Sequence, residues 1–477
     1  MKHNAANQIF YHKLQLMLLK LVHFLGSIAL FAGAWFLFRY NSIPVASTVG
    51  FRYNYLIIFA YGAILFFFCR TYNAYLVGFA RIRALIFGQL LAQFFTVTIV
   101  YFAVSIAWNR FHSPAVLALL LIPQFVLNVL WSYVANLAYF KIIPTKNTIL
   151  IYRNLLDRKR FGSLRGKPCE RIYKITAELQ YDGSFEDLVG YLDGFDAVFI
   201  AGVNSRCRNG ILKYCKDRRL DAFMLPHVGD VIMQEAKHIQ SFSSPVLNVG
   251  RTVLNPEYAF IKRAFDIVSS GLAIVILSPL MLITALAIKL YDGGPALYKQ
   301  IRLTKDEREF RILKFRSMRV DAEKDGVARL STGDQDDRIT PIGRIIRKCR
   351  LDELPQLFNI FAGDMSVVGP RPERPEIMEL YRQSIPDFHL RLQVKAGLTG
   401  YAQVYGKYNT EPYEKLQFDL LYINHMSVLT DLRLIFSTIP ILFLNDSTEG
   451  IAEGQTTAID YENCVDHSEE EYEAVAK

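Results

Sequence analysis

Two adjacent carboxylates, Asp352 and Glu353, lie in the segment CRLDELPQLFN and could act together on a phosphate group. An ionised carboxylate can attack phosphorus as a nucleophile or hold a divalent cation, and two neighbours can divide these tasks. Four cations lie just before the pair, at Arg344, Arg347, Lys348 and Arg350. A salt-bridge network on a surface helix would have the same spacing. The pair alone therefore leaves a catalytic site and a surface network as equal alternatives.

The residues around the acidic pair predict two helices that would position it. Thr340 and Pro341 are typical of an N-cap and a first helical residue. A second helix should begin near Leu351, because a proline such as Pro355 is tolerated only in a first turn. This places the acidic pair at a helix N-terminus, where the helix dipole favours ionised carboxylates and attracts phosphate.

Further cations flank the pair in the chain. The alternation in FRILKFRSM predicts a strand whose polar side presents Arg311 and Arg316, with Lys314 as a further candidate. A solvated charged face explains the same run. Downstream, GDMSVVGPRPERPE holds Arg371 between two prolines, and a pre-set guanidinium suits bidentate phosphate recognition. A rigid proline-rich turn is the alternative there.

A glycine-rich loop, KAGLTGYAQVYG, follows at 395–406. Thr399 and Gln403 are its polar side chains that could bind a substrate. A turn of this kind is weak evidence by itself.

Four apolar stretches at the front of the chain have the length of membrane helices. Each is near or above the roughly 17 to 25 residues that cross a bilayer as a helix; they are 21–38, 53–69, 84–108 and 114–140. The first is too long for a cleavable signal peptide, and three more follow it. Lysine and arginine are more frequent in the N-terminal tail, in the loop after the second stretch and in the segment after the fourth than in the other two loops. Residues 1–145 are therefore predicted to cross the membrane four times, with the N-terminus and the remainder of the chain in the cytoplasm.

Residues 146–250 alternate strand-like and helix-like runs, which predicts a small Rossmann-like α/β domain with a parallel sheet. The turn after its first strand, YRNLLDRKRFGSLRG, lacks the G-x-G-x-x-G pattern of dinucleotide-binding folds. We therefore expect no nicotinamide cofactor here, and a regulatory or structural role for the domain.

A fifth apolar segment lies at 264–290, and Ser278 and Pro279 stand near its middle. A proline removes a helix hydrogen bond and can kink the chain. A full crossing would put all later residues outside the cell, away from the α/β domain. A re-entrant helix that dips into one leaflet and returns avoids this, and the serine hydroxyl can satisfy a freed carbonyl. The alternative is an ordinary kinked transmembrane helix.

The composition limits the partners. The chain of 477 residues is 52% hydrophobic and carries a net charge of +9, although the segment 444–477 is strongly acidic. Residues 446–477 are predicted to be a disordered acidic tail. The basic remainder suits anionic lipids or phosphate-bearing substrates, and no nucleic-acid motif accompanies it. The six cysteines form no CxxC pair or Cys/His cluster, which argues against zinc.

Taken together and in order, several motifs resemble those of the bacterial sugar transferases, the monotopic phosphoglycosyl transferases that begin polysaccharide assembly on a polyprenyl lipid. They are KRAFDI, the helix interrupted by Ser-Pro, KFRSM, DDRITPIGRIIRKCRLDELPQLFNIFAGDMSVVGPRP and GLTGYAQVYG. The resemblance covers about 258–445, and the helices and α/β module ahead of it are similar to those of the large family members. It implies a membrane protein with three parts: a four-helix transmembrane bundle, the Rossmann-like domain, and an α-rich catalytic domain containing the re-entrant helix.

The resemblance implies a reaction in two displacements. A sugar 1-phosphate would pass from a nucleoside diphosphate sugar, by family habit UDP-glucose or UDP-galactose, to undecaprenyl phosphate. Such a reaction initiates capsule, exopolysaccharide or O-antigen synthesis at the bacterial inner membrane, with the catalytic domain on the cytoplasmic face. A homodimer remains an open alternative.

The resemblance also implies roles for individual residues. Asp352 matches the nucleophile that would carry the phosphosugar, and Glu353 would help to hold Mg²⁺. The expected substrate-binding residues are Arg347, Arg371, Lys314, Arg316 and Gln403. The expected residues for the lipid phosphate are Lys262 and Arg263, at the mouth of the re-entrant helix.

The glycine-rich loop departs from the family pattern. Ala396 stands where family members more often have proline, and Tyr401 where they have tryptophan, which puts loop stiffness and nucleotide stacking in doubt. Two other classes of protein stay open. A scaffold with an inactive transferase domain would not need the intact site, and an oxidoreductase acting on nucleotide sugars would need the absent glycine fingerprint.

Overall fold

A computed structural model gives the structure of the chain. It describes residues 2–42, 52–111, 113–162, 168–239, 246–250, 254–320, 322, 338–406 and 410–441. The chain divides into two compact units, Met1–Leu225 and Pro226–Lys477. The predicted acidic tail, 446–477, lies outside the described residues.

The first unit opens with the long apolar helices that the sequence predicts. They are α1 (Lys2–Ser42), α2 (Arg52–Thr71), α3 (Ile82–Ala107) and α5 (Leu121–Ile142), and the short helix α4 (Ala115–Leu119) lies directly ahead of α5. Helix α3 packs against α2 and α5, and α1 packs against α5. Four stretches of this unit are long and apolar enough to span a membrane, and a fifth lies in the second unit. The chain is thus a membrane protein, as predicted from its sequence.

Polar side chains between these helices satisfy one another. His23 contacts Asn128 (Nε2 to Oδ1, 2.9 Å), and Asn128 exchanges amide hydrogen bonds with Gln93 at 2.8 and 3.0 Å. All three side chains are buried. Since an unsatisfied polar group in hydrocarbon is costly, these bonds favour one rotational setting of α1, α3 and α5.

The first unit ends in a four-stranded parallel sheet of order β2-β1-β3-β4, which confirms the predicted parallel-sheet domain. Its elements are β1 (Lys146–Tyr152), α6 (Leu155–Gly162), β2 (Tyr173–Gln180), α7 (Phe185–Leu192), β3 (Ala197–Ala201), α8 (Ser205–Arg218) and β4 (Asp221–Met224). The central strands β1 and β3 read as almost continuous apolar runs because both of their faces are covered.

The strand order of this sheet reverses between β1 and β3, where open α/β sheets bind ligands beyond the strand ends. Gly202, just after β3, has φ +66°, and any side chain there would overlap the Asp157 carboxylate. Asp157 is buried and pairs with Arg160 at 3.2 Å. The absence of a dinucleotide here stays a prediction.

The second unit holds the remaining elements. They are α9 (Val228–Met233), β5 (Lys237–Ile239), β6 (Val246–Asn248), α10 (Pro256–Asp292), β7 (Leu297–Leu303), β8 (Glu309–Phe315), α11 (Pro341–Lys348), α12 (Gln356–Ala362), β9 (Ser366–Val368), α13 (Pro375–Ser384), β10 (Gly397–Thr399), α14 (Tyr401–Tyr405), α15 (Pro412–Asn424) and α16 (Val428–Ile441). Val228 and Val231 of α9 belong to the same core as Met378 and Leu416. The α/β domain was expected to reach residue 250, but its sheet ends at Met224 and the following helix packs in the second unit.

Helix α10 is continuous through Ser278 and Pro279, so the expected interruption is absent from the secondary structure. Pro279 cannot donate to the carbonyl of Val275, and the Ser278 hydroxyl donates to it instead, at 2.8 Å. This compensation by a serine is the one predicted from the sequence. Whether the chain returns to the same leaflet remains a prediction.

Helix α10 contacts the rest of the second unit along its whole length. Near its start, the Asp266 carboxylate accepts hydrogen bonds from Ser366 Oγ at 3.1 Å and Val367 N at 2.9 Å. Leu277 packs against the core at the middle of the helix, and Asp292 at its end pairs with Arg316. The opposite side of α10 exposes large apolar side chains: Val268, Leu272, Val275, Ile276, Leu282, Ile283, Leu286 and Leu290.

Candidate active site

The acidic pair lies in a short turn between α11 and α12, residues 350–355, which we call the acidic turn. Arg350 opens it with φ +55°, a left-handed conformation that is uncommon for a residue other than glycine. Asp352 and Glu353 then form a single 3-10 turn, Leu351–Glu353. A strained residue next to candidate chemistry is consistent with a functional site.

A helical segment begins at Leu351, as predicted, but its first turn is a 3-10 turn and not α-helix. Helix α12 begins only at Gln356, with Pro355 as its N-cap, so the acidic pair precedes the helix. Pro355 has no N–H for a carbonyl four residues back, and the chain makes three-residue bonds first, such as Leu354 N to Leu351 O at 3.1 Å. The N-cap prediction before the pair is confirmed, since Gly343 N donates to Thr340 Oγ1 at 2.9 Å.

Two cations reach Glu353 from different parts of the second unit. Arg371 Nη2 lies 3.0 Å from Glu353 Oε1, and Lys314 Nζ lies 3.7 Å from the same oxygen. The Glu353 side chain is 14% exposed, whereas that of Arg371 is 44% exposed. Arg371 can therefore face a solvent-borne substrate while it holds Glu353.

Lys314 is placed by strand β8 and helix α12. The Asn359 side chain of α12 makes two hydrogen bonds to the backbone of β8, as a neighbouring strand would. Its Oδ1 accepts from Leu313 N and its Nδ2 donates to Arg311 O, both at 2.9 Å. By strand alternation, Lys314 shares a face with the buried Phe310, while Arg311 is exposed. Among the cations of this strand, Lys314 reaches the acidic turn.

The two carboxyls have opposite ionisation behaviour. Burial raises the pKa of Asp352 to about 6, and the adjacent Glu353 charge adds to this effect. Burial also opposes ionisation of Glu353, but Arg371 and Lys314 outweigh it and lower the pKa of Glu353 to about 2. Burial lowers the pKa of Lys314 to about 8, although Glu353 favours its charge. A pair whose pKa values are driven apart is typical of a division of chemical roles.

Arg347 lies in the last turn of α11, and its charge favours the ionised form of Asp352. The predicted cluster of Asp352, Glu353, Arg347, Lys314 and Arg371 thus lies together at the acidic turn.

Arg371 is presented by residues 369–373, which we call the arginine turn, directly after strand β9. Strand β10 pairs with β9 in parallel, and Gly369 N donates to Thr399 O at 2.8 Å. Side chains at Gly397 or Gly400 would overlap the backbone of Gly369. The glycines of the GLTG loop therefore allow two backbones to approach closely, so that β10 supports the arginine turn.

Known families match the part of the chain that holds this site. A family model described as bacterial sugar transferase matches residues 257–445. The chain is 41% identical over 191 residues to a UDP-glucose:undecaprenyl-phosphate glucose-1-phosphate transferase of Caulobacter vibrioides, covering 39% of this chain and 71% of that protein. It is 42% identical over 188 residues to the "Exopolysaccharide production protein PSS" of Rhizobium leguminosarum bv. phaseoli, covering 38% of this chain and 93% of that protein. The chain belongs to the bacterial sugar transferase family.

A longer relative carries a different sugar in its name. The chain is 42% identical over 194 residues to a UDP-N-acetylgalactosamine-undecaprenyl-phosphate N-acetylgalactosaminephosphotransferase of Aeromonas hydrophila, covering 40% of this chain and 45% of that protein. The chain spans about half the length of the longer curated relatives it matches. Glucose and N-acetylgalactosamine thus occur in the names of sugar transferases at nearly equal identity.

Three predicted site residues of this sugar transferase have other partners. Arg316 is buried and pairs with Asp292 at the end of α10. Lys262 pairs with Asp431 at 2.7 Å. Arg263 donates to the carbonyls of Ile360 and Phe361, both at 2.8 Å, at the C-terminal end of α12.

Lys262 and Arg263 thus already have partners within the protein, and their assignment to the lipid phosphate stays a prediction. The partners come from segments about 100 or more residues away, so local sequence gave no sign of them.

Gln403 lies on α14 beside the arginine turn, and its Nε2 donates to Leu398 O at 2.9 Å. Its Oε1 is buried without a hydrogen-bond partner among the described residues. A buried acceptor of this kind is costly unless a donor arrives. Gln403 remains a candidate for contact with substrate.

The residues present suit a magnesium ion that is shared with substrate. No cluster of three or more His, Cys, Asp or Glu suited to a metal occurs among the residues that the structure describes. Mg²⁺ commonly takes only one or two carboxylates and completes its shell with water and substrate phosphates. Asp352 and Glu353 are such a donor set, although Glu353 Oε1 already faces two cations.

The sequence-based search missed the residues beneath the arginine turn. Arg302 and Arg391 donate to its backbone, and Arg391 pairs with the buried Asp419. Arg391 and Asp419 are 28 positions apart in segments without a motif, so burial and pairing could be seen only in the folded chain.

Proposed function

We propose that this protein transfers a sugar 1-phosphate from a UDP-sugar to undecaprenyl phosphate and so starts the assembly of an extracellular polysaccharide. The observation that carries the proposal is the acidic pair itself. Glu353 is held by Arg371 and Lys314, while Asp352 is the carboxylate with the raised pKa. The names of the family relatives supply the class of donor and acceptor.

In the first displacement, a carboxylate oxygen of Asp352 attacks the sugar-bearing phosphorus of the donor. The phosphoanhydride bond breaks, its electron pair leaves with UMP, and an acyl phosphate joins Asp352 to the phosphosugar. A carboxylate whose pKa is raised is more basic than an ordinary aspartate and is still largely ionised at neutral pH.

In the second displacement, a phosphate oxygen of undecaprenyl phosphate attacks the same phosphorus. The bond to Asp352 breaks, the carboxylate returns to its ionised form, and undecaprenyl-diphosphate-sugar leaves. No net proton transfer is needed in either step.

The surrounding cations stabilise charge on the transferring phosphoryl group. Arg371 is half exposed and fixed by prolines on both sides, which suits bidentate binding of phosphate. Arg347 and Lys314 are placed to favour the ionised nucleophile. A bound Mg²⁺, held by Glu353 and shared with the diphosphate, would neutralise charge on the leaving group.

We propose further that α10 enters the membrane from the cytoplasmic face and does not cross it. The helix would be about 55 Å long at 1.5 Å per residue, more than a bilayer core needs. Yet its start, middle and end all contact the second unit, whose charged site would have to enter hydrocarbon if α10 crossed.

Cysteine labelling tests this placement. In a background in which Cys349 and Cys464 are replaced by serine, Glu257→Cys and Pro295→Cys report the two ends of α10, and both positions are exposed. Labelling of both from the cytoplasmic side of oriented vesicles is expected. Labelling of the two from opposite sides would show a crossing helix and overturn the proposal.

Turnover by the purified full chain tests the transfer. UMP release is measured with undecaprenyl phosphate and a panel of UDP-sugars, including glucose, galactose and N-acetylgalactosamine. One sugar is expected to give UMP together with a lipid-linked product. Release should stop in excess EDTA and return with Mg²⁺. UMP formation without a lipid product, or no release with any sugar, would contradict the proposed reaction.

A further inference from the structure

Every carbonyl from Pro370 to Glu373 in the arginine turn accepts a hydrogen bond. Two of the donors are backbone groups. Gly397 N donates to Pro370 O at 2.8 Å, and Leu303 N donates to Glu373 O at 3.0 Å. Strand β10 and the end of strand β7 therefore hold the two ends of the turn.

The two middle carbonyls accept from guanidinium groups. Arg391 Nη2 donates to the carbonyl of Arg371 itself at 3.0 Å, and Arg302 Nη1 donates to Pro372 O at 3.0 Å. Surface turns normally leave such carbonyls to water. Here two arginine side chains take the place of water directly beneath the cation that faces Glu353.

Arg391 is an expensive group to bury. It is 1% exposed, and it pairs with the equally buried Asp419, Nε to Oδ2 at 2.8 Å and Nη2 to Oδ2 at 2.7 Å. Its Nη1 lies 3.4 Å from Glu373 Oε1. A buried ion pair of this kind is often no more stabilising than apolar residues of the same volume, so it is weakly explained by stability alone.

We propose that Arg391 is a positioning residue for Arg371. It fixes the backbone from which the Arg371 guanidinium reaches Glu353 and the phosphate of the substrate, and it acts on the reaction only through Arg371. Arg302 supports the next carbonyl in the same way. This inference rests on the proposed transferase function.

Replacing Arg391 by lysine distinguishes a role in positioning Arg371 from a role in packing alone. Arg391→Lys keeps a positive charge beside Asp419. A single ammonium cannot reproduce the planar fork that spans Asp419, Glu373 and the carbonyl of Arg371. The matched control is Arg382→Lys, an arginine of the same unit that pairs with Glu307 at 2.6 Å.

A double-mutant cycle with Arg371→Ala is the first test. Arg391→Lys is expected to lower kcat about tenfold or more, with a smaller change in KM for the UDP-sugar, since small misplacements of a catalytic group have large effects. In the Arg371→Ala background the same change should alter kcat by less than about twofold. An equal loss in both backgrounds, or no loss in the wild type, would overturn the proposal.

Hydrogen exchange is the second test and needs no turnover. The amides that are hydrogen-bonded at the arginine turn, Leu303 N, Gly369 N and Gly397 N, should exchange about fivefold faster in Arg391→Lys than in the wild type or in Arg382→Lys. Unchanged exchange there would refute the positioning role even if activity fell. If the wild type transfers no sugar, the proposed function fails separately, and the exchange result still decides the role of Arg391.

A variant that does not fold is replaced by a milder one. Arg302→Lys removes the donor of Pro372 O and leaves the Arg391–Asp419 pair intact. It should lower kcat and speed amide exchange in the same pattern, with a smaller amplitude. Unchanged kcat and unchanged exchange in this folded variant would overturn the proposal.

Discussion

The acidic turn and the arginine turn face each other across one ion pair, but they are built in different ways. The acidic turn is held by short-range bonds such as Glu353 N to Arg350 O at 3.3 Å, with Arg350 in a left-handed conformation. The arginine turn is held by strands and side chains from distant parts of the second unit. The reactive groups are thus encoded locally, whereas the geometry that directs them is assembled over long range.

The largest expected effect lies in the acidic turn. Asp352→Asn should lower turnover at least about a thousandfold, because the amide cannot act as the nucleophile. UMP release and acid-stable labelling by a radiolabelled UDP-sugar measure it. Glu379→Gln, an exposed carboxylate on α13, is the control and should leave both unchanged. Undiminished labelling of Asp352→Asn would remove this residue as the covalent carrier.

The arginine turn should give the next largest effect. Arg371→Ala is expected to reduce kcat/KM about a hundredfold, since it removes a positioned donor from the phosphoryl group. Arg371→Lys should recover only part of this loss because it lacks the bidentate fork. Full recovery with lysine, measured by UMP release, would show that charge alone is needed and that the rigid turn is not.

The pH dependence of the turnover rate tests the roles assigned to Asp352 and Lys314. Asp352 acts when deprotonated and its pKa is raised to about 6, so the rate should fall as pH drops below that value, about tenfold per unit. Lys314 acts when protonated and its pKa is lowered to about 8, so the rate should also fall above pH 8. In Lys314→Arg the alkaline fall should disappear while the acid fall stays. A flat profile between pH 5 and 7 would contradict the assignment of Asp352.

The smallest effect tests the support of the arginine turn. Gly397→Ala places a methyl group against the backbone of Gly369 and should lower the apparent melting temperature by about 2 to 8 °C. Gly229→Ala, where nothing lies within 4 Å of the new methyl group, is the matched control. Equal melting temperatures for the two variants would show that the contact between β9 and β10 can relax.

The sequence predicted what depends on neighbours in the chain. The membrane stretches, the parallel sheet, the Thr340 cap and the serine that compensates for Pro279 all follow from local composition or from one residue's missing donor. Alternation along strand β8 favoured Arg311 and Arg316 over Lys314 as cations of the site. In the structure Lys314 reaches Glu353, whereas Arg316 pairs with Asp292.

Residues that act across the fold could not be found in this way. Lys262 is neutralised by Asp431, 169 positions later, and Arg391 lies beneath a turn 20 positions earlier. Neither pairing leaves a spacing pattern, because the partners come together only when α10, α15 and α16 pack.

Helix α10 is fastened to the second unit at both of its ends and along its middle. Because α10 is also long and apolar enough to enter a membrane, we expect a domain tied to it in this way to stay beside the bilayer. An acceptor that carries a long isoprenoid chain would reach it by diffusion within the plane of the leaflet, so its relevant concentration is a surface density. Turnover should then depend on the mole fraction of acceptor in the bilayer and be insensitive to dilution of the vesicles.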